Sequence, residues 1–308
     1  MEPLAPTGST GDPSTETVVP NPSPYVAPDT ETDPEELLDL ATIGAGVTQA
    51  ISAAYAVDAA VALEAQRRVM ADGDSDCPGL IDDYYAVYGY YYWYATCSTN
   101  LGASFDGYGY LYDVTNVDAG SYFAHEADYW YGLADLRTAD DQRYEMTGTV
   151  WDYHYRYDSS AYDYYSWGVL GDFLWTGAEY SDTWLARGVS AQVQGYSYRY
   201  DSGAVVVWLD GTVGGLTGSF DAAHLRSVMH VDEAVGSNCE AEPGGSIAVR
   251  TTGGEWYEVV FDGPTYWGAT SFPPSCDGCG EVFHRGVSLG EACPDLSLLT
   301  LSPEAPWR

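Results

Sequence analysis

Lysine is absent from this chain of 308 residues, and basic residues of any kind are scarce. The 11 basic residues, all arginines, are outnumbered by 46 aspartates and glutamates, so the formal net charge is −35. Secreted proteins of high-GC bacteria and salt-adapted proteins share this acidity. A surface of that sign repels phosphate backbones and anionic lipid, which argues against nucleic acid as a partner. We therefore expect cationic or neutral partners.

An apolar leader is missing from the amino-terminal segment, residues 1–33. These residues are mostly Pro, Thr, Ser, Glu and Asp, which cannot bury enough apolar surface to offset the entropy of ordering. We expect a disordered tether of the kind found in surface proteins, from which a leader has been removed. The predicted location is extracellular, at the cell surface or in the periplasm.

Signature motifs of common enzymes are missing too: there is no Gly-x-Ser-x-Gly elbow, no His-Glu-x-x-His and no phosphate-binding glycine loop. A single strand over this part of the chain would place His224, Arg226, His230 and Asp232 on one face, as a sparse metal or acid/base set. The simpler interpretation is that these four are exposed polar residues. We expect a noncatalytic protein. A secreted carboxylate-dependent hydrolase is the alternative, but acidic residues are too numerous for one catalytic pair to be chosen.

Tyrosine is abundant, with 28 residues against 7 phenylalanines. The pattern Tyr-x-Tyr-x-Tyr-Asp occurs three times, at 108–113, 153–158 and 196–201. Its spacings of 45 and 43 residues indicate a repeated structural unit. A four-stranded propeller blade has a similar length, but the few internal turn signals favour two long strands per unit.

Hydrophobic periodicity divides the chain into a helical part and a long β part. Asp33 as N-cap, Pro34 at the first helical position and Glu36 at the third predict a helix that continues to about Met70. Gln49 and Asp58 interrupt its apolar stretch, so core packing is a better account than a membrane span. After residue 79 the period is two, in runs of about 15 to 18 residues between turn signals.

These patterns predict a mainly β fold: a long-stranded antiparallel meander, as a curved sheet or open barrel, with one long amino-terminal helix packed along it. The predicted parts are the tether at 1–33, the helix at 34–70, the tyrosine-rich hairpin sheet at 80–235 and a cysteine-containing β extension at 236–308.

The tyrosines of each copy share strand parity, so they project from one face. A two-residue turn at 159–160 would place Tyr155 opposite Tyr164 and Tyr157 opposite Tyr162. Because copies recur on every second strand, we expect them at one height, as an aromatic band. The predicted band comprises Tyr108, Tyr110, Tyr112, Tyr153, Tyr155, Tyr157, Tyr162, Tyr164, Tyr196, Tyr198 and Tyr200.

Two roles fit such a band: the rings could cover the helix or a second layer, or they could form a platform that stacks on sugars or receives a cationic polymer. An outer-membrane barrel is disfavoured because neither face has an unbroken apolar alternation. We expect a structural or binding protein of the cell envelope or extracellular space that self-assembles or binds extracellular polymer or glycan, without spanning a membrane. A lipid or small-molecule carrier, with the sheet wrapped around the helix, is a further alternative.

Six cysteines, an even number, favour disulfides in an exported protein. We expect the pairs Cys77–Cys97, Cys239–Cys276 and Cys279–Cys293. A zinc site built from the last four cysteines, or from three of them and His284, is the open alternative.

Asp72, Asp74 and Asp76 have the spacing of the first, third and fifth ligands of a calcium loop. Cys77 stands where that loop needs glycine, and Asp83 replaces its final glutamate. Calcium is thus the one cofactor that the sequence suggests, and a solvated acidic turn is the competing interpretation.

The segment from Cys239 to Asp295 resembles a tail of uncharacterised secreted or lipoprotein-type proteins of myxobacteria-like organisms. The resemblance depends on Trp256-Tyr-Glu-Val, Cys276-x-x-Cys279-Gly-Glu-Val and Gly290-Glu-x-Cys293, within less than a fifth of the chain. It implies an envelope or extracellular setting and no particular activity.

Overall fold

A helical segment precedes a single large sheet in the computed structural model of the chain. The structure describes residues 37–79, 81–82, 90–117, 124–156, 162–187, 190–201, 204–232, 243–263 and 277–300. They belong to one compact unit that begins at Leu37. The predicted tether lies outside the described residues, as do Asp33 and Pro34.

The helical segment consists of α1 (Leu40–Ala56) and α2 (Ala59–Met70). It begins later than predicted, because Asp39 is the N-cap and its carboxylate accepts a hydrogen bond from the Thr42 backbone N–H at 2.8 Å. The predicted single helix is interrupted at residues 57–58, where the Asp58 carboxylate accepts from the Ala60 N–H at 2.9 Å and caps α2. A short helix, α3 (Ser297–Thr300), follows the sheet.

The sheet is an antiparallel meander in which each strand pairs with its neighbours in the chain, so the mainly β fold is confirmed. In the described residues it is open, with β1 and β13 at its ends. The strands are β1 (Ile81–Asp82), β2 (Tyr90–Ser98), β3 (Ser104–Val117), β4 (Ala124–Arg137), β5 (Arg143–Arg156), β6 (Tyr162–Thr176), β7 (Ser190–Tyr200), β8 (Val205–Gly214), β9 (Phe220–Asp232), β10 (Gly244–Thr251), β11 (Trp256–Asp262), β12 (Gly280–His284) and β13 (Val287–Ala292).

The helical segment packs on one face of this sheet and crosses several strands. α1 contacts β8, β9, β10 and β13, whereas α2 contacts β4, β5 and β6. Ile43, Val47 and Ile51 are fully buried in the resulting core. Gly46 permits the close approach expected of a small residue, since a Cβ there would overlap the ring of Phe220.

The stretch Leu40–Met70 is long and apolar enough to cross a membrane, by length and composition. Half of its most apolar window is buried within the protein. A core helix meets the same criterion, so one such segment is weak evidence for a membrane span.

Four glycines stand side by side on neighbouring strands: Gly109, Gly132, Gly148 and Gly171. Gly148 and Gly171 have φ values of 141° and 139°, which side chains rarely adopt. A Cβ on Gly148 would overlap the carbonyl oxygen of Leu170 on the next strand. Gly148 and Gly171 therefore let adjacent backbones approach in a conformation that other residues would prevent.

Two of the three predicted disulfides are confirmed, Cys77–Cys97 and Cys279–Cys293. Cys239 and Cys276 lie outside the described residues, and their predicted pairing stays a prediction. The alternative of a zinc site that includes Cys279 or Cys293 is wrong, because a cysteine in a disulfide no longer offers a thiolate to the metal.

The carboxyl group of Asp58, at the break between α1 and α2, makes the free energy of unfolding dependent on pH. Burial raises the pKa of this carboxyl, and the hydrogen bond from Ala60 opposes that effect. Folding then favours the protonated form, so stability decreases as the pH rises above the ordinary value of 3.8 and through the folded pKa. We expect Asp58→Asn, which keeps the cap without the charge, to be more stable than the wild type at pH 7 in urea unfolding.

The matched control is Asp58→Ala, which removes the cap as well and should be about 1 kcal/mol less stable than Asp58→Asn. Below pH 3.8, where the wild-type carboxyl is protonated in both states, the wild type and Asp58→Asn should converge. A lower stability of Asp58→Asn at pH 7 would show that burial of the charge is not the dominant effect.

Candidate binding face

The sheet face opposite the helical segment, called here the outer face, holds the repeated tyrosines. On β5, Tyr144, Met146 and Val150 are buried, and the Tyr144 hydroxyl donates to the Ala62 carbonyl oxygen of α2 at 3.2 Å. Because successive side chains alternate between faces, Tyr153 on the same strand points away from the helix. The interpretation that these rings cover the helix is therefore wrong, whereas the interpretation that they cover a second layer is not tested.

Six aromatic rings of β6, β7 and β8 form a contiguous group on the outer face, the tyrosine cluster. Its members are Tyr162, Tyr164, Tyr196, Tyr198, Tyr200 and Trp208, all partly exposed. Tyr164 and Tyr198 are directly opposite each other, with ring centroids 4.8 Å apart. Tyr196 stacks on Trp208 at 5.1 Å and 17°. These separations are within the range of favourable aromatic pairs.

The second and third copies of the repeat lie at one height, as predicted. Tyr153 pairs with Ser166, which pairs with Tyr196, so a shift of 43 residues relates β5 to β7. This shift equals the spacing between the two copies.

The first copy lies elsewhere, and the prediction of one common height is wrong for it. Tyr108 pairs with Leu133, which pairs with Thr147, so a shift of 39 residues relates β3 to β5. The copies are 45 residues apart, which displaces Tyr108 from the level of Tyr153 by six residues, or about 20 Å.

The remaining predicted tyrosines fall into three situations. Tyr155 is paired with Tyr164, as predicted, whereas Tyr157 lies outside the described residues. Tyr112 is paired with Tyr129, again at the level of the first copy. Tyr110 stacks on Tyr92 at 5.8 Å and is 41% exposed, so the first copy begins a second aromatic group.

Apolar residues that sequence reasoning missed lie beside the tyrosine cluster. Val206, Met229 and Val231 form a small buried group against which Tyr198, Tyr200 and Trp208 pack. Val206 and Val231 are paired neighbours on β8 and β9. The alternation of β8, with valine and tryptophan at successive even positions, was the available signal. The rings thus have an apolar support that restrains them.

The phenols of β7 are uncharged over a wide range of pH. Burial, followed by the neighbouring phenols of Tyr164, Tyr196, Tyr162 and Tyr200, raises the pKa of Tyr198 to about 12. Burial also raises the pKa of Tyr196 and of Tyr200. These three phenols are consequently neutral groups on a strongly acidic protein.

A groove of about 540 Å³ on the outer face is the described feature closest to a catalytic cleft, and Asp106, Asp135, Glu145 and Asp172 contribute to it. Arg143 binds Asp135 with two hydrogen bonds of 2.7 Å and also pairs with Glu145 at 2.6 Å. The hydrogen bonds from Arg143 lower the pKa of Asp135, the opposite of what a general acid needs.

The other two carboxylates of the groove are far apart. Asp106 lies on β3 and Asp172 on β6, three strand spacings or about 14 Å away. Glycosidase carboxylates stand about 5 to 9.5 Å apart. Asp106 and Asp172 are therefore too far apart to act as such a pair.

Two of the three aspartates of the suggested calcium loop accept hydrogen bonds from within the protein. Asp74 accepts from the backbone N–H groups of Asp76 and Cys77, at 2.9 and 2.8 Å. Asp72 accepts from Arg68 at 3.1 Å and from the Ala139 N–H at 2.8 Å. Among the described residues, no group of three or more His, Cys, Asp or Glu could hold a metal ion. Calcium binding stays a prediction without a described geometry.

His224 and His230 do not share a face, which corrects the expectation from strand parity. Leu225 pairs with Gly211 but Val228 pairs with Leu209, so β9 contains an irregularity between them. Ser227 has a φ of 48° there and donates its N–H to the Asp210 carboxylate at 2.9 Å. The extra residue reverses the alternation, leaving His224 on the outer face and burying His230.

No protein-family model, curated protein or solved structure matches this chain. The fold and this face define an open-sheet β protein with one helix-covered face and one face bearing aromatic clusters.

Proposed function

We propose that the protein is a noncatalytic module of the cell envelope or extracellular space whose tyrosine cluster binds a neutral extracellular polymer, of which a glycan is the best-fitting class. The observation behind this proposal is the group of six partly exposed rings on the face that the helical segment leaves open. The two disulfides are compatible with an oxidising compartment.

The chemistry of the cluster favours a neutral partner with apolar faces. Flat rings offer π surfaces for the C–H face of a sugar, and phenol hydroxyls supply donors and acceptors at the ring edge. The buried support of Val206, Met229 and Val231 lowers the entropy cost of holding the rings in place. An anionic polymer would be repelled by the net charge of −35.

Alanine substitution of Tyr164, Tyr196 and Tyr198 should weaken retention by at least about tenfold, since loss of aromatic anchors costs more than about 1.4 kcal/mol. Retention can be measured by native gels containing soluble neutral glycans and by sedimentation with cellulose or chitin. Circular dichroism would verify that the variant is folded.

The matched control is the double variant Tyr92→Ala and Tyr94→Ala, which removes outer-face rings of β2 and should leave retention unchanged. Two results would contradict the proposal: no retention of the wild type on any neutral glycan, or equal retention of the wild type and the triple variant.

Self-assembly is a second candidate, favoured by the end strand β13. Val287 on this strand is 57% exposed, and an end strand can add a strand from another copy. The negative charge opposes this association unless salt screens it. Light scattering at low and high salt should then show a larger particle at high salt, and an unchanged monomer mass at both would exclude this candidate.

A further inference from the structure

Tyr164 and Tyr198 are placed for a covalent reaction with each other. They are directly opposed on β6 and β7, and their ring centroids are 4.8 Å apart at an interplanar angle of 41°. Both rings are partly exposed. The other tyrosine pairs of the cluster that include either ring are separated by 5.5 Å or more. The shortest separation thus joins two different strands.

The surrounding rings would deliver oxidation to this pair. Trp208 stacks on Tyr196 at 5.1 Å, Tyr196 is 5.6 Å from Tyr198, and Tyr162 is 5.5 Å from Tyr198. A radical formed on any of these rings can therefore pass between neighbours in contact. The buried support of the cluster keeps the rings together while this happens.

We propose that Tyr164 and Tyr198 form a site of oxidative phenol coupling, which joins β6 to β7 by a dityrosine bond. The co-reactant is hydrogen peroxide acting through a haem peroxidase. One peroxide molecule removes one electron and one proton from each phenol, giving two phenoxyl radicals and two waters. The radicals join through ring carbons ortho to the hydroxyls, and the two ring protons move to the oxygens. The net change is two tyrosines and one peroxide to one dityrosine and two waters.

Other tyrosines of the described residues are less suited to this reaction. Tyr144 and Tyr257 are buried in the core, where a large oxidant cannot reach them. Tyr94 is 78% exposed, which suits coupling between separate molecules. Tyr92 and Tyr110 are stacked at 19°, so their faces rather than their edges meet. Exposure therefore favours coupling between molecules at Tyr94, and geometry favours coupling within the molecule at Tyr164 and Tyr198.

The test treats the full-length protein at low concentration with a haem peroxidase and hydrogen peroxide, followed by trypsin and mass spectrometry. Because the chain has no lysine, trypsin cuts only after arginine and leaves Tyr164 in peptide 157–187 and Tyr198 in peptide 188–199. We expect these two peptides to be joined with the loss of two hydrogen atoms, together with dityrosine fluorescence. The coupled protein should melt at a higher temperature, since the bond restricts the unfolded chain.

Matched controls exist within the same peptides. Tyr164→Phe or Tyr198→Phe should reduce the joined peptide to background, whereas Tyr165→Phe should leave it in place. Products confined to intermolecular coupling through Tyr94, or a joined peptide that persists in Tyr164→Phe and Tyr198→Phe, would overturn the proposal. Coupling does not depend on polymer binding, so glycan retention of the untreated protein tests the proposed function separately.

Discussion

Gly148→Ala should lower the free energy of unfolding by about 3 kcal/mol, because it combines backbone strain with a steric overlap. The new Cβ would require a φ of 141° that alanine avoids, and it would overlap the carbonyl oxygen of Leu170. Strand β6 would have to move away from β5 at the middle of the sheet. Urea unfolding followed by tryptophan fluorescence would measure the loss.

Gly254→Ala provides the matched control. Gly254 has a φ of 92°, also in the left-handed range, but a Cβ there would have no atom within 4 Å. This variant should lose only the strain, about 1 kcal/mol. Equal losses at the two positions would show that the approach of β5 to β6 does not require a glycine.

Replacing Cys77 and Cys97 by alanine should destabilise the protein by about 3 kcal/mol. The disulfide closes a loop of 20 residues between the end of α2 and strand β2, and its removal gives the unfolded chain more freedom. The slope of unfolding against urea concentration should increase, because a chain without this link exposes more surface when it unfolds.

Reductant supplies the control for this second effect. The wild type should lose stability when reduced, and the Cys77→Ala/Cys97→Ala variant should lose less, since it no longer has the Cys77–Cys97 disulfide to lose. An unchanged urea midpoint in the oxidised double variant would show that the link contributes nothing to stability.

The fold could be predicted because its signals are local. Period-two alternation and regularly spaced turn residues specify long antiparallel strands, and short connections make sequential neighbours pair. The helix start was placed too early because Asp33 with Pro34 and Asp39 are both chemically suitable caps. Asp39 caps the described helix and precedes the residues that the sheet buries, beginning with Ile43.

The site was harder to predict because it depends on register. Positions at the same height are 39 residues apart on β3 and β5 but 43 residues apart on β5 and β7, and motif spacing alone does not reveal this difference. A single extra residue near Ser227 likewise separates two histidines that alternation would group. The apolar support beside the cluster comes from β8 and β9, outside the tyrosine motif itself.

The two described disulfides have a mechanical consequence. Cys97 belongs to β2 and Cys77 precedes β1, while Cys279 and Cys293 flank the hairpin of β12 and β13. Each strand of this sheet pairs with its neighbours in the chain. Without the disulfides, such a sheet would separate from its two edges, one strand at a time. A disulfide cross-links the chain at each edge of the sheet. Strand separation that starts at either edge therefore reaches a covalent cross-link before it reaches the long central strands.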